Sequence, residues 1–421
     1  PSAICPSAIC PLAYHAPMPF DRSREGLYLD WLKQVTPIPT AAGREHRVVQ
    51  WVESWASDRE GVLLTRDQHG NITLALVDAD SDEAPVYFTA HLDHPAFVVE
   101  EQTGPDTVRL SFRGGVMKDY FTDARITIHD GLDGVGATVA SLTEGEPFND
   151  VAARLDRPAE VTVGDVATWE LPGPEILDTD NGAGETHACL HTPACDDLAA
   201  LAAALSALEE LRLLRAAGER TADARVLLTR AEEIGFVGAI GAARSGTMPK
   251  NARILALENS RSFPHDSPIG GGPIVRVGDR ISVFSPQLTS AVAAVAEDLF
   301  QRPAQPRANQ KQGDLGGAGV GRWQRKLMAG GACEASVFCA YGYQATCLCL
   351  PLGNYHNMAD LAAVQAGRNT TPPRVAREYI AVSDYLGLID LLVACGTELG
   401  DRGSFNDRIE KLWTERSFVL A

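Results

Sequence analysis

From residue 197 onward, short apolar runs alternate with helical stretches, and this alternation constrains the fold more than anything else in the chain. A strongly periodic helix over 197–215 ends at Gly218. Strand-like runs at 226–229, 254–257 and 345–350 then interleave with a helix from about Phe236, one near 289–299 and a long one over 375–394. Strands separated by helices pair in parallel, and each crossover lays a helix against one face of the sheet. Upstream, amphipathic stretches from Ser23 and over 45–55 lead to strand-like runs at 61–64, 72–77 and 86–90. The expected fold class is therefore α/β: a doubly wound, mostly parallel sheet in an α/β/α sandwich.

The pattern is interrupted once. Between residues 98 and 186 it gives way to short β-like pieces at 107–112, 125–129, 136–141, 160–163 and 166–171, separated by Gly, Asp and Pro turns. A small inserted β domain, barrel or PDZ-like, fits this texture. The expected division is a tail over 1–22, a discontinuous main domain over 23–97 and 187–421, and the insert over 98–186. The stretch 303–331, with its glycines at 316, 317, 319 and 321, reads as a mobile loop. It is not a phosphate loop, because the Gly-Lys-Ser/Thr ending is absent.

At 421 residues the chain is long enough for two domains. With 55 acidic against 37 basic residues and a net charge of −18, it lacks the clustered Lys and Arg that a phosphate backbone demands, which argues against nucleic acid. No apolar run reaches the roughly 18 residues of a bilayer span. The nine cysteines form no CxxC pair, and their scatter fits a reducing cytoplasm. Residues 1–10, Pro-Ser-Ala-Ile-Cys written twice, lack the basic and apolar regions of a secretory signal and stand outside the fold reasoning.

Polar residues with ligand atoms recur at the carboxyl ends of the expected strands. His91 and Asp93 follow 86–90, Glu232 and Glu233 follow 226–229, Glu258 follows 254–257, His356 follows 345–350, and Asp196 precedes the long helix. Singly, each has a plain structural reading: a solvated turn for the glutamate pair, an N-cap for Asp196, a strand end for Glu258, turn or structural histidines for the rest. Together they would meet at the edge where open parallel sheets bind ligands. Two histidines and three carboxylates suit two divalent ions sharing one bridging carboxylate, with a spare carboxylate to carry a proton. His94, His187, His191 and His265 read as loop or supporting histidines.

Five segments carry a family resemblance: Thr-Ala-His91-Leu-Asp93, Cys-Asp196-Asp197, Glu232-Glu233-Ile-Gly-Phe-Val-Gly-Ala, Leu-Glu258 and Asn-Tyr-His356-Asn. They resemble the ordered motifs of the dinuclear zinc aminopeptidases, specifically the tetrahedral (TET) and glutamyl aminopeptidase family. The wide interval between His91 and Asp196 leaves room for the β domain that this family inserts there. The resemblance implies His91 and Glu258 as terminal ligands of one set, Glu233 and His356 of another, and Asp196 as the bridge. It also implies Glu232 as general base and Asp93 as the aspartate orienting His91.

By the same resemblance the cofactors are two divalent ions, zinc with cobalt as the alternative. The activity is removal of N-terminal residues from peptide substrates by a metal-activated water, and the assembly is a homo-oligomer. Several positions depart from the family pattern. Glu258 stands where aspartate is usual and Leu198 where arginine is usual. Ala332-Cys-Glu-Ala335 replaces Gly-Thr-Asp-Ala, and His356-Asn-Met-Ala-Asp360 replaces His-Ser-Pro-X-Glu, with Asp360 the positional counterpart of that glutamate. These departures keep open a carboxypeptidase, deacylase or other amidase on the same site, and a non-catalytic scaffold of the same fold.

Overall fold

The computed structural model describes residues 20–77, 83–129, 134–301, 303–304, 322–399 and 405–420. Most of the expected N-terminal tail and the glycines at 316, 317, 319 and 321 of the 303–331 loop lie outside the described residues.

Helices α1 (Glu25–Val35) and α2 (His46–Ser57) lead into the hairpin of β1 (Val62–Arg66) and β2 (Ile72–Leu76), and then into β3 (Val86–His91). The chain next builds a separate unit from β4 (Ala96–Gly104), β5 (Thr107–Arg113), β6 (Arg125–His129), β7 (Val135–Thr143), β8 (Asn149–Leu155) and β9 (Val166–Trp169). These close into a barrel in the order β4-β5-β8-β7-β6-β9. Phe97, Phe112, Phe121 and Trp169 fill it, meeting mostly edge to face.

Strands β10 (Glu175–Asp180) and β11 (Thr186–Thr192) follow, then α3 (Leu198–Ala216), β12 (Ala224–Thr229), α4 (Val237–Ser245), β13 (Arg253–Arg261), β14 (Ile274–Asp279) and α5 (Pro286–Leu299). The remainder is β15 (Gln324–Met328), α6 (Glu334–Ala340), β16 (Gln344–Leu352), α7 (Leu361–Gln365), β17 (Glu378–Ala381), α8 (Val382–Glu398) and α9 (Phe405–Arg416).

The main sheet has eight strands in the order β1-β2-β12-β3-β13-β16-β14-β15. Its centre, β12, β3, β13 and β16, is wholly parallel. The β1-β2 hairpin borders it antiparallel to β12, and β14 runs antiparallel to β16 on the other side. Alternate residues of the central strands enter different cores. Val226, Leu228, Phe88, Leu255 and Leu348 pack with α1, α2, α3, α5 and α8, whereas Leu227, Tyr87, Ile254 and Cys347 pack with α4 and α6. Strands covered on both faces are apolar at nearly every position, which is why these runs stand out in the sequence.

Several elements differ from expectation, and three of them bear on the barrel and the sheet edges. The 375–394 helix begins only at Val382, because Glu378–Ala381 pairs antiparallel with β11 and completes a three-stranded sheet with β10. Residues 160–163 form no strand, and β8 takes that place in the barrel. Only Val151, Ala153 and Leu155 of β8 face inward, between exposed residues such as Asp150 and Arg154, so its apolar signal is thin. The polar edge strand β15 lies inside the stretch read as a loop.

Candidate metal centre

The four central strands deliver their side chains to one edge. His91 ends β3, Glu258 lies in β13, and the turns after β12 and β16 carry Glu232-Glu233 and His356. Asp196 sits just ahead of α3, joined to Asp197 by a cis peptide bond. The N-cap of α3 is Asp197, and its side chain makes no capping bond.

Asp196 divides the site in two. Its Oδ1 lies 3.3 Å from His91 Nε2, which is 4.0 Å from Glu258 Oε1. Its Oδ2 lies 3.5 Å from His356 Nε2, which is 3.4 Å from Glu233 Oε1. Three overlapping groups of ligand atoms each converge within 4.8 Å: one on His91, Asp196, Asp197 and Glu258, one on Asp196, Glu233 and His356, and one on His91, Glu232 and Glu233. Glu232 borders the first group, with Oε2 3.8 Å from His91 Nε2.

Both imidazoles are oriented alike. His91 Nδ1 donates to the Asp93 carbonyl at 3.1 Å, and His356 Nδ1 donates to the Gly115 carbonyl of the barrel unit at 2.6 Å. Each leaves its Nε2 lone pair facing the cluster, the arrangement a metal-binding histidine requires. Tyr355 stacks on His356 with ring centroids 3.7 Å apart. The Asp93 carboxylate lies 3.6 Å from His91 Nδ1, and its two oxygens accept the main-chain N–H groups of Glu232 at 2.9 Å and Glu233 at 3.1 Å. It thus fixes the glutamate turn as well as facing the histidine.

The glutamate turn is braced from behind. Ala231 has a φ of 53°, a left-handed conformation costly for a residue with a Cβ. Glu45 accepts the Ala231 N–H at 3.1 Å and binds the Arg230 guanidinium, while Asn71 accepts the Arg230 N–H at 3.1 Å. The loop bearing His356 is bent in the same way, with positive φ at Asn354, His356, Asn357 and Asp360.

Three further residues support the site. Glu378, unforeseen in the sequence, accepts main-chain N–H groups of Cys195 at 2.6 Å, Asp196 at 3.0 Å and His356 at 2.7 Å. His94 Nδ1 donates to the Asp196 carbonyl at 2.6 Å. Asp197 accepts the His91 N–H at 3.2 Å and the Asn259 side-chain amide at 2.7 Å. Asp360 is exposed ahead of α7 and takes no part in the clusters. His187 and His191 lie outside them, against Glu185 and stacked on Tyr379.

The electrostatics call for cations. Burial, reinforced by neighbouring carboxylates, holds Glu258 and Glu232 well above the usual carboxylate range, and burial raises Glu233 and Glu334 to about 7. At His356 burial opposes protonation, but Glu233 and Asp196 overcome it and lift the ring to about 9. Asp196 Oδ1 and Glu233 Oε1 are buried with no hydrogen-bond partner. Buried carboxylate oxygens without donors are costly, and a cation in each cluster would satisfy them. The residues present therefore fit a pair of divalent ions. The centre opens into a cavity of about 420 Å³ lined also by Met328, Tyr355 and Arg276.

No family model and no curated protein matches the sequence. Solved structures do match over nearly the whole chain. The aminopeptidase APDkam598 from the archaeon Desulfurococcus kamchatkensis is 18% identical with a TM-score of 0.65, covering 89% of this chain and 95% of its own. A TET aminopeptidase from a marine sediment Thaumarchaeota archaeon is 17% identical with a TM-score of 0.66, covering 89% and 97%. The Pyrococcus horikoshii TET1 peptidase, which can assemble into a tetrahedron or a large octahedral shell, is 18% identical with a TM-score of 0.66, covering 88% and 99%. At these identities the likeness establishes a shared fold.

Proposed function

We propose that this chain is a dinuclear metal-dependent exopeptidase, an aminopeptidase that hydrolyses N-terminal residues from peptides. The observation that carries the reading is Asp196, whose two oxygens face two separate histidine–carboxylate groups while Oδ1 lacks any hydrogen-bond donor. His91 and Glu258 would hold one ion, His356 and Glu233 the other, and Asp196 both. The mixed nitrogen and oxygen donors suit zinc, with cobalt as the alternative. When bound, such a pair supplies Lewis acidity toward a substrate carbonyl and lowers the pKa of water.

The chain's own groups handle the rest. Glu232, buried beside His91, accepts the proton of the attacking water and returns it to the leaving amine. Asp93 and Glu378 hold the ligand-bearing backbone. Likeness in fold to the aminopeptidase APDkam598 supports a peptide N-terminus as the group acted on. All five proposed ligands fall within 23–97 and 187–421, which supports these portions as the catalytic unit and 98–186 as an accessory one.

Likeness in fold to the Pyrococcus horikoshii shell-forming peptidase supports a homo-oligomer, which light scattering would register. Cys189, Cys195, Cys333, Cys339, Cys347 and Cys349 are free thiols, which supports a cytoplasmic setting. Among the described residues no helix is long and apolar enough to cross a membrane.

The test compares aminoacyl anilides with free, N-acetylated and C-blocked peptides, with and without zinc or cobalt. Metal-dependent cleavage that needs a free amine is expected. Preference for N-acetylated peptides with a free C-terminus would replace the reading with a carboxypeptidase or deacylase. A protein that binds no metal on reconstitution would be a scaffold.

A further inference from the structure

Away from the metal centre, two apolar surfaces near the β14–β15 end of the main sheet stay open among the described residues. Helix α9 carries Ile409, Leu412 and Trp413 at i, i+3 and i+4, the spacing that sets side chains on one helix face. Such a stripe normally turns to a core, yet these three are 48%, 50% and 61% exposed. The turn that continues the helix, Ser417–Leu420, adds Phe418, Val419 and Leu420, which are 69–76% exposed. One exposed leucine is ordinary, but a run of large apolar side chains left in water marks a contact surface.

The second surface is a groove of about 750 Å³, lined by Val277, Val283, Phe284 and Pro286 of the β14–α5 segment and by Ile409 and Leu412 of α9. Val283 is 77% exposed. α9 thus forms one wall of the groove without filling it, and Phe418, Val419 and Leu420 are not among its lining residues. Charges narrow the choice of partner. Over 405–416 the sequence holds Asp407, Glu410 and Glu415 against Arg408, Lys411 and Arg416. A helix lying on lipid needs a basic polar face, and a chain of net charge −18 is repelled by anionic headgroups. An apolar centre with charges of both signs beside it, here Arg325, Lys411 and Glu415, is instead the anatomy of a protein interface. The groove lacks filling and the turn lacks cover, and every copy of the chain has both. A two-fold contact satisfies them together, because residue i of one copy then meets residue j of the other and the reverse.

We propose that residues 409–420 and the β14–α5 groove form an interface between two copies of this chain, with Phe418, Val419 and Leu420 of one copy entering the groove beside Val283 of the other. This gives the homo-oligomer proposed above a contact surface, and it rests on that reading.

Sedimentation and light scattering of the full chain at micromolar concentration test it, with Val283→Lys and Phe418→Glu as variants. Both positions are exposed within one copy, so circular dichroism and metal content should match the wild type. Each variant is expected to shift to a smaller assembly, its association weakened by about tenfold or more. An equimolar mixture of the two should recover the wild-type assembly, since one of its contacts is unaltered and the other pairs opposite introduced charges. A contact within one copy predicts no such recovery. Variants that assemble as the wild type does, or a mixture that stays dissociated, overturn the interface and leave the homo-oligomer reading intact. A wild-type monomer overturns both, and its co-sedimentation with phosphatidylserine vesicles would assign the stripe to a lipid surface instead.

Discussion

At the scale of single residues, the centre depends on a carboxylate whose hydrogen bonds come from main chain. Glu378 gathers three N–H groups from the segments carrying Asp196 and His356. Glutamine there would keep one acceptor oxygen and turn an NH2 group toward N–H donors. Glu378→Gln should weaken metal binding about 10–100-fold and lower stability by about 1–3 kcal/mol. Chelator competition and urea unfolding measure the two, and unchanged metal affinity would remove its positioning role. Glu232→Gln should do the reverse: full metal content by elemental analysis, but kcat lower by about 10²–10⁴. Undiminished turnover would exclude Glu232 as the proton carrier. His91, Asp196, Glu233, Glu258 and His356 could be picked out because each follows a strand or opens a helix in the sequence. Glu378 could not, because main-chain partners leave no trace in residue type and its short strand reads as the start of a helix.

At the scale of elements, close backbone contact sets the glutamate turn. Gly238, in the first turn of α4, would place a Cβ 2.3 Å from the Arg230 carbonyl and 2.4 Å from its nitrogen. Its own N–H donates to that carbonyl at 2.8 Å, so helix and turn are locked together. Gly238→Ala cannot be absorbed by rotating a side chain. It should cost about 1–3 kcal/mol in thermal unfolding and displace Glu232 and Glu233, weakening metal binding as well. A stable variant with normal metal affinity would mean that α4 does not set the turn. Of the eight described non-glycine residues with positive φ, six lie in this turn, at the start of α4 or in the His356 loop. Such strain is invisible to periodicity, which is why the strands bearing the ligands were legible while the turns shaping them were not. The same limit explains β15 and β17, short or polar strands defined by their neighbours rather than by apolar alternation.

At the scale of the whole molecule, the centre joins parts that otherwise share little. Its proposed ligands come from four parallel strands and the start of α3, and the barrel unit contributes the Gly115 carbonyl that orients His356. Stripped of cations, the cluster confines Asp196, Asp197, Glu232, Glu233 and Glu258 in one buried volume, and burial drives most of them to hold protons. Ions bound to the folded chain alone must then raise stability, by about 2.7 kcal/mol per site when free metal exceeds its dissociation constant a hundredfold. Zinc-loaded and chelator-treated protein should therefore differ in unfolding free energy by about that amount or more. Because His356 spans the barrel contact and the metal site, the difference should not be spread evenly. Amide hydrogen exchange should quicken on metal removal around residues 115–117 and 354–358, while the barrel core at Phe97, Leu110 and Ile126 stays protected. Uniform loosening of the barrel would instead mean that the metal site supports the insert as a whole, and no change at the junction would show that the Gly115 contact stands without metal.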